Sequence, residues 1–213
     1  MLTLYTYWRS SAAYRVRIAL NLKGLPYASV PKHLLRDGGE QKRADYLALN
    51  PQGLVPALAD DGFVVPQSLA ICEYLEEIHP EPRLLPGSAR DRATVRGMAL
   101  AIACDIHPLD NTRVLQYLER ELHVDQAGRD EWYRHWIREG FRAIDAQLSE
   151  RSGPYCAGHT PTIADIYLVP QVFNARRLDV DLAPYPRIRA IFDACMQLPA
   201  FADAQPSRQP DAE

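Results

Sequence analysis

The chain has 213 residues, 47% of them hydrophobic and 24% charged, which is the composition of an ordinary globular protein. Its net charge of −3 and isoelectric point near 6.1 argue against nucleic acid and against an anionic membrane as partners. The sequence contains no apolar run of about 20 residues, the length of a membrane span, and its start does not resemble a signal peptide. We therefore expect a cytoplasmic protein.

The first eighty residues combine strand and helix patterns. Leu2 to Thr6 alternates apolar and polar residues, and Ser10-Ser11 then precede a helical run that closes at Lys23-Gly24. The predicted elements are, in order, strand 2–6, helix 12–23, strand 26–30, helix 41–49, a hairpin of strands 55–58 and 63–65, and helix 69–78. This βαβαββα order predicts a small α+β domain.

A stretch rich in proline, residues 80–87, indicates a linker. Beyond it every periodic pattern is helical, so the second domain is predicted to be all-α. Its predicted helices are 89–105, with a possible kinked continuation through Pro108 to residue 118, then 130–148, 162–177 and 186–198. The tail after Phe201 is expected to be irregular. The predicted organisation is a domain over 1–80, a linker over 81–87 and a helical domain over 88–213.

The four cysteines are scattered, and none forms a Cys-x-x-Cys pair. This pattern is typical of free thiols in a reducing compartment. Cys104 and His107 have the spacing of half a metal site, but no second pair of ligands accompanies them. We therefore predict no metal centre.

The turn Arg9-Ser10-Ser11 joins the first strand to the first helix. Hydroxyl groups here lie beside free backbone N–H groups and the positive end of the helix dipole. Such a place can stabilise a phosphate, a carboxylate or a thiolate. The alternative is that one serine merely caps the helix.

Two further signals follow downstream. Val55-Pro56, at the start of a strand, is a candidate cis peptide that offers the N–H and C=O of Val55 to an extended ligand; the alternative is an ordinary edge-strand proline. Gln67-Ser68 begins the third helix and is a candidate carboxylate site, or again a simple cap. Each signal is weak alone, and their order along the chain is the informative feature.

That order, with a proline-rich linker and a helical second half, resembles the cytosolic glutathione transferases, and most closely their zeta class. The stretch Ser10-Ser11-Ala12-Ala13-Tyr14-Arg15-Val16-Arg17-Ile18-Ala19-Leu20 resembles the class motif Ser-Ser-Cys-x-Trp-Arg-Val-Arg-Ile-Ala-Leu. Segments 37–39, 48–52, 67–71, 83–86, 168–171 and 180–186 are also similar to that class. Ala12 and Tyr14 depart from it, where the class usually has Cys and Trp. The resemblance implies a thioredoxin-like first domain and the glutathione transferase architecture.

The resemblance also implies glutathione as the cofactor and assigns residues to it. Ser10 and Ser11 would lie near the sulfur, with Arg9 beside them as a third catalytic group. The residues expected to bind the rest of the tripeptide are Gln41, Val55 with Pro56, Gln67, Ser68, His107 and Asn111. Arg9, Arg113, Arg176 and Arg177 would bind a dicarboxylate substrate, with Arg177 the better match of the last two.

The function implied is the glutathione-dependent cis–trans isomerisation of maleyl diketo acids, by thiolate addition, bond rotation and elimination. The alternatives are isomerisation of maleylpyruvate in particular, or a transferase acting on α-halo acids. A different class of alternative is a module that binds protein partners without catalysis. The resemblance further implies a homodimer.

Overall fold

The computed structural model describes residues 1–150 and 152–213. It divides into two compact units, which are described separately. The first comprises Met1–Leu84 together with Gln197–Glu213, and the second comprises Leu85–Met196.

The first unit is built on a four-stranded mixed sheet. Its strands are β1 (Leu2–Thr6), β2 (Tyr27–Pro31), β3 (Ala57–Asp60) and β4 (Phe63–Pro66), in the spatial order β2-β1-β3-β4. β1 pairs parallel with β2 and antiparallel with β3, and β3 pairs antiparallel with β4. The parallel pair requires a crossover connection, which the helix between β1 and β2 provides.

Three helices complete the predicted order, which is confirmed. They are α1 (Ser11–Leu22), α2 (Ala44–Leu49) and α3 (Ser68–Ile78). α2 is shorter than predicted because residues 40–42 form a separate 3₁₀ turn after two glycines with positive φ. α1 and α3 lie side by side, and α3 also contacts the β3–β4 hairpin.

α1 is buried along almost its whole length, and its buried residues include two arginines. Arg15 and Arg17 are each only 1% exposed. Arg17 donates to four acceptors: Nε to the Ala204 carbonyl at 3.0 Å, Nη1 to Thr6 Oγ1 at 3.1 Å and to the Tyr7 carbonyl at 3.4 Å, and Nη2 to the Trp8 carbonyl at 3.0 Å. A buried guanidinium is tolerated when its donors are used in this way.

The C-terminal segment lies in the first unit, whereas the sequence placed residues 197–213 in the helical domain. The short helix α9 (Pro199–Ala202) packs against α1, and Tyr14 Oη donates to the Phe201 carbonyl at 3.1 Å. The tail is also less irregular than expected, since residues 206–208 form a 3₁₀ turn. Buried donors on α1 require acceptors, and this segment supplies them.

The second unit is helical, as predicted. Its helices are α4 (Ala89–Leu100), α5 (Thr112–Arg120), α6 (Gln126–Leu148), α7 (Ile163–Arg177) and α8 (Pro186–Met196). α4 and α7 begin with capping boxes, formed by Ser88 with Asp91 and by Thr162 with Asp165. Within the described residues, no helix is long and apolar enough to cross a membrane.

The predicted continuation of α4 through Pro108 is wrong. The helix widens to a π-helix over Ala101–Ile106 and stops, and α5 begins only after the turn at residues 107–111. Pro108 has no backbone N–H and cannot continue the hydrogen-bond ladder. Gly140 of α6 permits the π-helix to approach closely, because a Cβ there would lie 2.1 Å from Ile106 Cδ1.

Candidate functional site

The serine turn lies at the amino end of α1. Ser10 is the N-cap, with extended backbone angles, and its Oγ accepts the Ala13 N–H at 3.2 Å. Ser11 is the first helical residue and is 6% exposed. The capping interpretation is therefore correct as a description of Ser10. Because Ser10 Oγ is the acceptor in this bond, the Ser10 O–H remains free to donate. The N–H groups of the first helical turn point to the same end of α1.

Two residues that the sequence did not single out hold this turn in place. Arg17 binds the carbonyls of Tyr7 and Trp8, which directly precede Arg9. Asp211 Oδ2 accepts the Trp8 N–H at 2.9 Å. The turn is thus fixed from inside by α1 and from the far end of the chain by a carboxylate. Arg17 lies within the motif that resembles the zeta class, although the sequence assigned it no role, and no local pattern signalled Asp211.

Arg9 is exposed, and its guanidinium lies over the ring of Trp8, 5.7 Å from the ring centroid. Such stacking restrains the side chain without neutralising its charge. Among the described residues Arg9 forms no ion pair. A cation is therefore held next to the serine turn.

The Val55–Pro56 peptide bond is cis, as one of the two interpretations of this dipeptide expected. The preceding Leu54 carbonyl accepts from Tyr46 Oη at 2.6 Å and from Asn50 Nδ2 at 2.8 Å. Burial raises the pKa of Tyr46 to about 12, so its hydroxyl remains a donor. Within the described chain the backbone N–H and C=O of Val55 have no hydrogen-bond partner, which leaves both available to an extended ligand.

Gln67 and Ser68 lie at the amino end of α3. Gln67 has a φ of 71°, a conformation unusual for a residue other than glycine, and its Nε2 donates to Gln52 Oε1 at 2.8 Å. Strained backbone of this kind is concentrated at binding sites. Ser68 is 6% exposed, and its Oγ accepts from Nη1 of Arg15 at 3.3 Å. An arginine therefore lies beneath the candidate carboxylate site.

Gln41 is buried and faces the interior of its loop. Its Nε2 donates to the Leu34 carbonyl at 3.3 Å, while its Oε1 has no partner among the described residues. Both amide atoms lie 2.7 Å from the position that a Cβ on Gly39 would occupy. This orientation does not by itself offer the amide to a ligand.

The structure brings the first-unit candidates toward one edge of the sheet. Tyr7, which follows β1 and precedes the serine turn, packs in one apolar cluster with Val55 and Tyr46. Arg15 links α1 to Ser68. The serine turn, Val55 and Gln67-Ser68 are therefore parts of one neighbourhood, although they are far apart in the sequence.

The other candidates belong to the second unit. His107 ends the π-helix, and Asn111 is the N-cap of α5, where its Oδ1 accepts the Arg113 N–H at 3.1 Å. The sequence placed His107 and Asn111 on one helix, but they flank the turn that interrupts it. The side chain of Arg113 is exposed.

The two adjacent arginines at the end of α7 differ in their contacts. Arg176 forms an ion pair with Asp193 Oδ1 at 3.6 Å and stacks on Phe192, 4.0 Å from the ring centroid. Arg177 Nη2 donates to Tyr133 Oη at 3.3 Å, and among the described residues no carboxylate pairs with it. Arg177 is the one with a charge available for a substrate carboxylate.

Models of the glutathione S-transferase family match both halves of the chain. The N-terminal domain model matches residues 9–78, and the C-terminal domain model matches residues 126–194. The first match includes the serine turn, Val55-Pro56 and Gln67-Ser68, and the second includes α7 with its two arginines.

Relatives that align over nearly the full length of the chain point to the same family. The chain is 51% identical over 211 residues to a probable maleylacetoacetate isomerase of Vibrio cholerae, covering 99% of this chain and 98% of that one. A solved structure of a maleylpyruvate isomerase, described as a bacterial zeta-class glutathione S-transferase, superposes with a TM-score of 0.96 at 49% identity, covering 99% and 100%. A maleylacetoacetate isomerase of Methylobacterium extorquens AM1, solved with bound malonate and glutathione, superposes with a TM-score of 0.94 at 41% identity, covering 99% of each chain. This chain belongs to the glutathione S-transferase family, in its zeta class.

Proposed function

We propose that this protein is a glutathione-dependent cis–trans isomerase of maleyl diketo acids, converting maleylacetoacetate to fumarylacetoacetate. The observation that carries the proposal is its near-full-length likeness to an isomerase solved with glutathione and a small dicarboxylate. The geometry of each unit is consistent with one of these two ligands.

The first unit fits glutathione in three respects. An extended tripeptide can pair with the unused N–H and C=O of Val55. A carboxylate can bind at the amino end of α3, near Ser68, where Arg15 adds positive charge. A thiolate can be stabilised at the amino end of α1 by the Ser10 hydroxyl and the first N–H groups of the helix.

When bound, glutathione supplies the sulfur nucleophile that converts the cis double bond transiently to a single bond. The protein's own task is to hold that sulfur ionised and to neutralise charge on the substrate. Ser10, Ser11 and the α1 dipole stabilise the anion. Arg9 can stabilise the negative charge that develops on the substrate during the reaction. Only this contribution lowers the activation barrier, because stabilisation of the thiolate also lowers the free energy of the ground state.

The second unit supplies arginine for the substrate. Arg177 is the principal group proposed, because its guanidinium has no carboxylate partner of its own, and the exposed Arg113 is a second. Arg176 is not proposed for this role, because its side chain already pairs with Asp193 and stacks on Phe192. A guanidinium binds a carboxylate through two parallel hydrogen bonds, which also orients the substrate.

The test is turnover of maleylacetoacetate and of maleylpyruvate by the pure protein with glutathione, followed by appearance of the fumaryl product. Absence of turnover on both would end the proposal. Arg177→Ala should reduce kcat/KM at least tenfold, chiefly through KM. The matched control is Arg176→Ala, which should stay within about twofold; equal effects of the two changes would remove Arg177 from its role.

Maleylpyruvate is the second candidate substrate, favoured by the likeness to the solved maleylpyruvate isomerase. The ratio of kcat/KM for the two maleyl acids decides between them. A panel of α-halo acids in the same assay measures the transferase alternative. Binding to immobilised glutathione that free glutathione competes away would distinguish the two isomerases and the transferase from a module that binds only proteins.

We further propose a homodimer in the cytoplasm. Its four cysteines are all free thiols, which suits a reducing compartment. Light scattering at micromolar protein concentration tests the dimer, and a mass near 24.1 kDa, that of one chain, would contradict it. Cell fractionation tests the location.

A further inference from the structure

Trp8 lies between the first strand and the serine turn, and the function proposed so far gives its side chain no role. Charged side chains bind both of its peptide groups: Asp211 Oδ2 accepts its N–H at 2.9 Å, and Arg17 Nη2 donates to its carbonyl at 3.0 Å. Hydrogen bonds to charged groups are about twice as strong as those between neutral groups. The backbone of this one residue is therefore held by an anion at its N–H and by a cation at its carbonyl.

The indole ring of Trp8 is held by neighbouring aromatic groups. The ring is half-buried and meets the ring of Tyr7 edge to face, with 5.9 Å between the centroids. It also packs against the apolar cluster that Tyr7 forms with Tyr46 and Val55. Over the same ring lies the guanidinium of Arg9, 5.7 Å from the centroid. An exposed arginine otherwise samples many rotamers, and a fixed aromatic ring restricts them.

Asp211 is placed by a segment that is itself anchored on both sides. The side chain of Gln209 donates to two backbone carbonyls at 2.9 and 3.0 Å, and the Ala212 N–H closes a turn onto the Gln209 carbonyl at 3.0 Å. Glu213 then forms an ion pair with Arg36. Among the described residues the Asp211 carboxylate has no other hydrogen bond and no cation as a partner. The contact of this carboxylate is thus the Trp8 N–H alone.

We infer that Trp8 and Asp211 are positioning residues for Arg9. The Asp211 carboxylate fixes the peptide of Trp8, the ring of Trp8 fixes the guanidinium of Arg9, and the guanidinium receives the negative charge of the substrate. The inference rests on the proposed function, in which Arg9 meets the substrate. The alternative role for Trp8 is packing alone, which would stabilise the first unit without acting through Arg9.

The first experiment is a double-mutant cycle on malonate binding, measured by calorimetry with saturating glutathione. Trp8→Leu should raise the Kd about three- to fivefold, as expected for loss of an exposed cation–π contact, and Arg9→Gln should raise it about tenfold. The double variant should bind no more weakly than Arg9→Gln, because Trp8 acts through Arg9. Additive effects, an unchanged Kd in Trp8→Leu, or a wild type that binds no malonate would each overturn the inference.

Conservative variants separate the ring and the hydrogen bond from general effects. Trp8→Phe keeps an aromatic face and should stay within about twofold of the wild-type Kd. Asp211→Ala should raise the Kd about threefold, whereas Asp211→Asn can still accept the Trp8 N–H and should stay within about twofold. The matched control is Asp203→Ala, which removes an exposed carboxylate of the same segment that pairs with Arg208. An equal rise in Asp203→Ala and Asp211→Ala would assign the effect to the charge of the segment and refute the role of Asp211.

A second measurement needs no ligand and no variant. Nitrogen relaxation by NMR reports the order parameter of the Arg9 Nε–H on the picosecond to nanosecond timescale. In the wild type this order parameter should exceed that of an exposed arginine such as Arg90, and in Trp8→Leu it should fall to that level. If Arg9 is as mobile as Arg90 in the wild type, the ring does not position it, whether or not the variants fold.

Failure of this inference and failure of the proposed function give different results. Malonate binding and side-chain relaxation need no turnover, so they can succeed in a protein that isomerises neither maleyl acid. Conversely, an active isomerase in which the substitutions of Trp8 and Arg9 have additive effects would retain the proposed function and lose the role of Trp8.

Discussion

Replacement of Arg17 by lysine tests whether a buried guanidinium holds the serine turn. Arg17 is 1% exposed and divides its donors among four acceptors. Lysine has a single nitrogen and can occupy only one of these positions. A lysine placed near the Trp8 carbonyl leaves the Ala204 carbonyl without a donor, and a lysine near Ala204 leaves Trp8.

The magnitude follows from the acceptors that are left. An unsatisfied buried carbonyl costs about 1–3 kcal/mol, and at least one strong carbonyl bond and one weaker contact are lost. We expect Arg17→Lys to lower the free energy of unfolding by about 3 kcal/mol. Burial lowers the pKa of Arg17 to about 10, so the wild-type guanidinium is charged at pH 7, and the comparison with lysine is between two cations.

The assay is urea denaturation at pH 7, with glutathione affinity measured on the folded variant. Arg208→Lys is the matched control, because Arg208 lies in the same C-terminal segment as Ala204 but is exposed, and among the described residues its side chain bonds only Asp203. It should change stability by less than about 0.5 kcal/mol. If Arg17→Lys lowers the free energy of unfolding no more than the control does, the four hydrogen bonds are replaceable. If glutathione affinity is unchanged, these bonds do not determine the conformation of the serine turn.

Three other substitutions test separate contacts. Gly140→Ala introduces a methyl group 2.4 Å from Ile106 Cγ1, so the free energy of unfolding measured in urea should fall by about 1–3 kcal/mol. An unchanged denaturation midpoint would mean that the π-helix shifts to accommodate the methyl group. Lys23→Met removes the bond to Glu76 at 2.8 Å and two bonds to carbonyls, and should cost about 3 kcal/mol in the same assay, more than any exposed lysine. Gln67→Gly relieves a φ of 71° and should change stability by under about 1 kcal/mol, yet weaken glutathione binding about tenfold by calorimetry; equal affinity would exclude the Gln67 amide from the site.

The sheet and its helices could be predicted because their signals are local. The alternation in β1 and the serine cap of α1 each depend on neighbouring residues, and the structure reproduces them within a residue or two. The sequence predicts a disturbance of the helix at Pro108 but not the complete break before α5. A proline marks the point, but whether a helix kinks or stops there depends on what packs against it.

The contacts that organise the candidate site could not be predicted from local sequence patterns. An arginine at a helical position normally indicates a solvated face, so nothing in the periodicity of α1 places Arg17 in the interior. Its acceptor at Ala204 lies 187 residues away. Asp211 lies 203 residues from Trp8, whose N–H it accepts, so it too could not be predicted from local patterns.

The placement of the C-terminal segment has a consequence for biosynthesis. The second unit lies between the two parts of the first unit along the chain, so the ribosome delivers all of it before residues 197–213. Domains usually fold as units while the chain grows. Here the second unit can be complete while the first still lacks the Ala204 carbonyl that Arg17 binds and the Phe201 carbonyl that Tyr14 binds. The half of the molecule that is translated first therefore reaches its final form last.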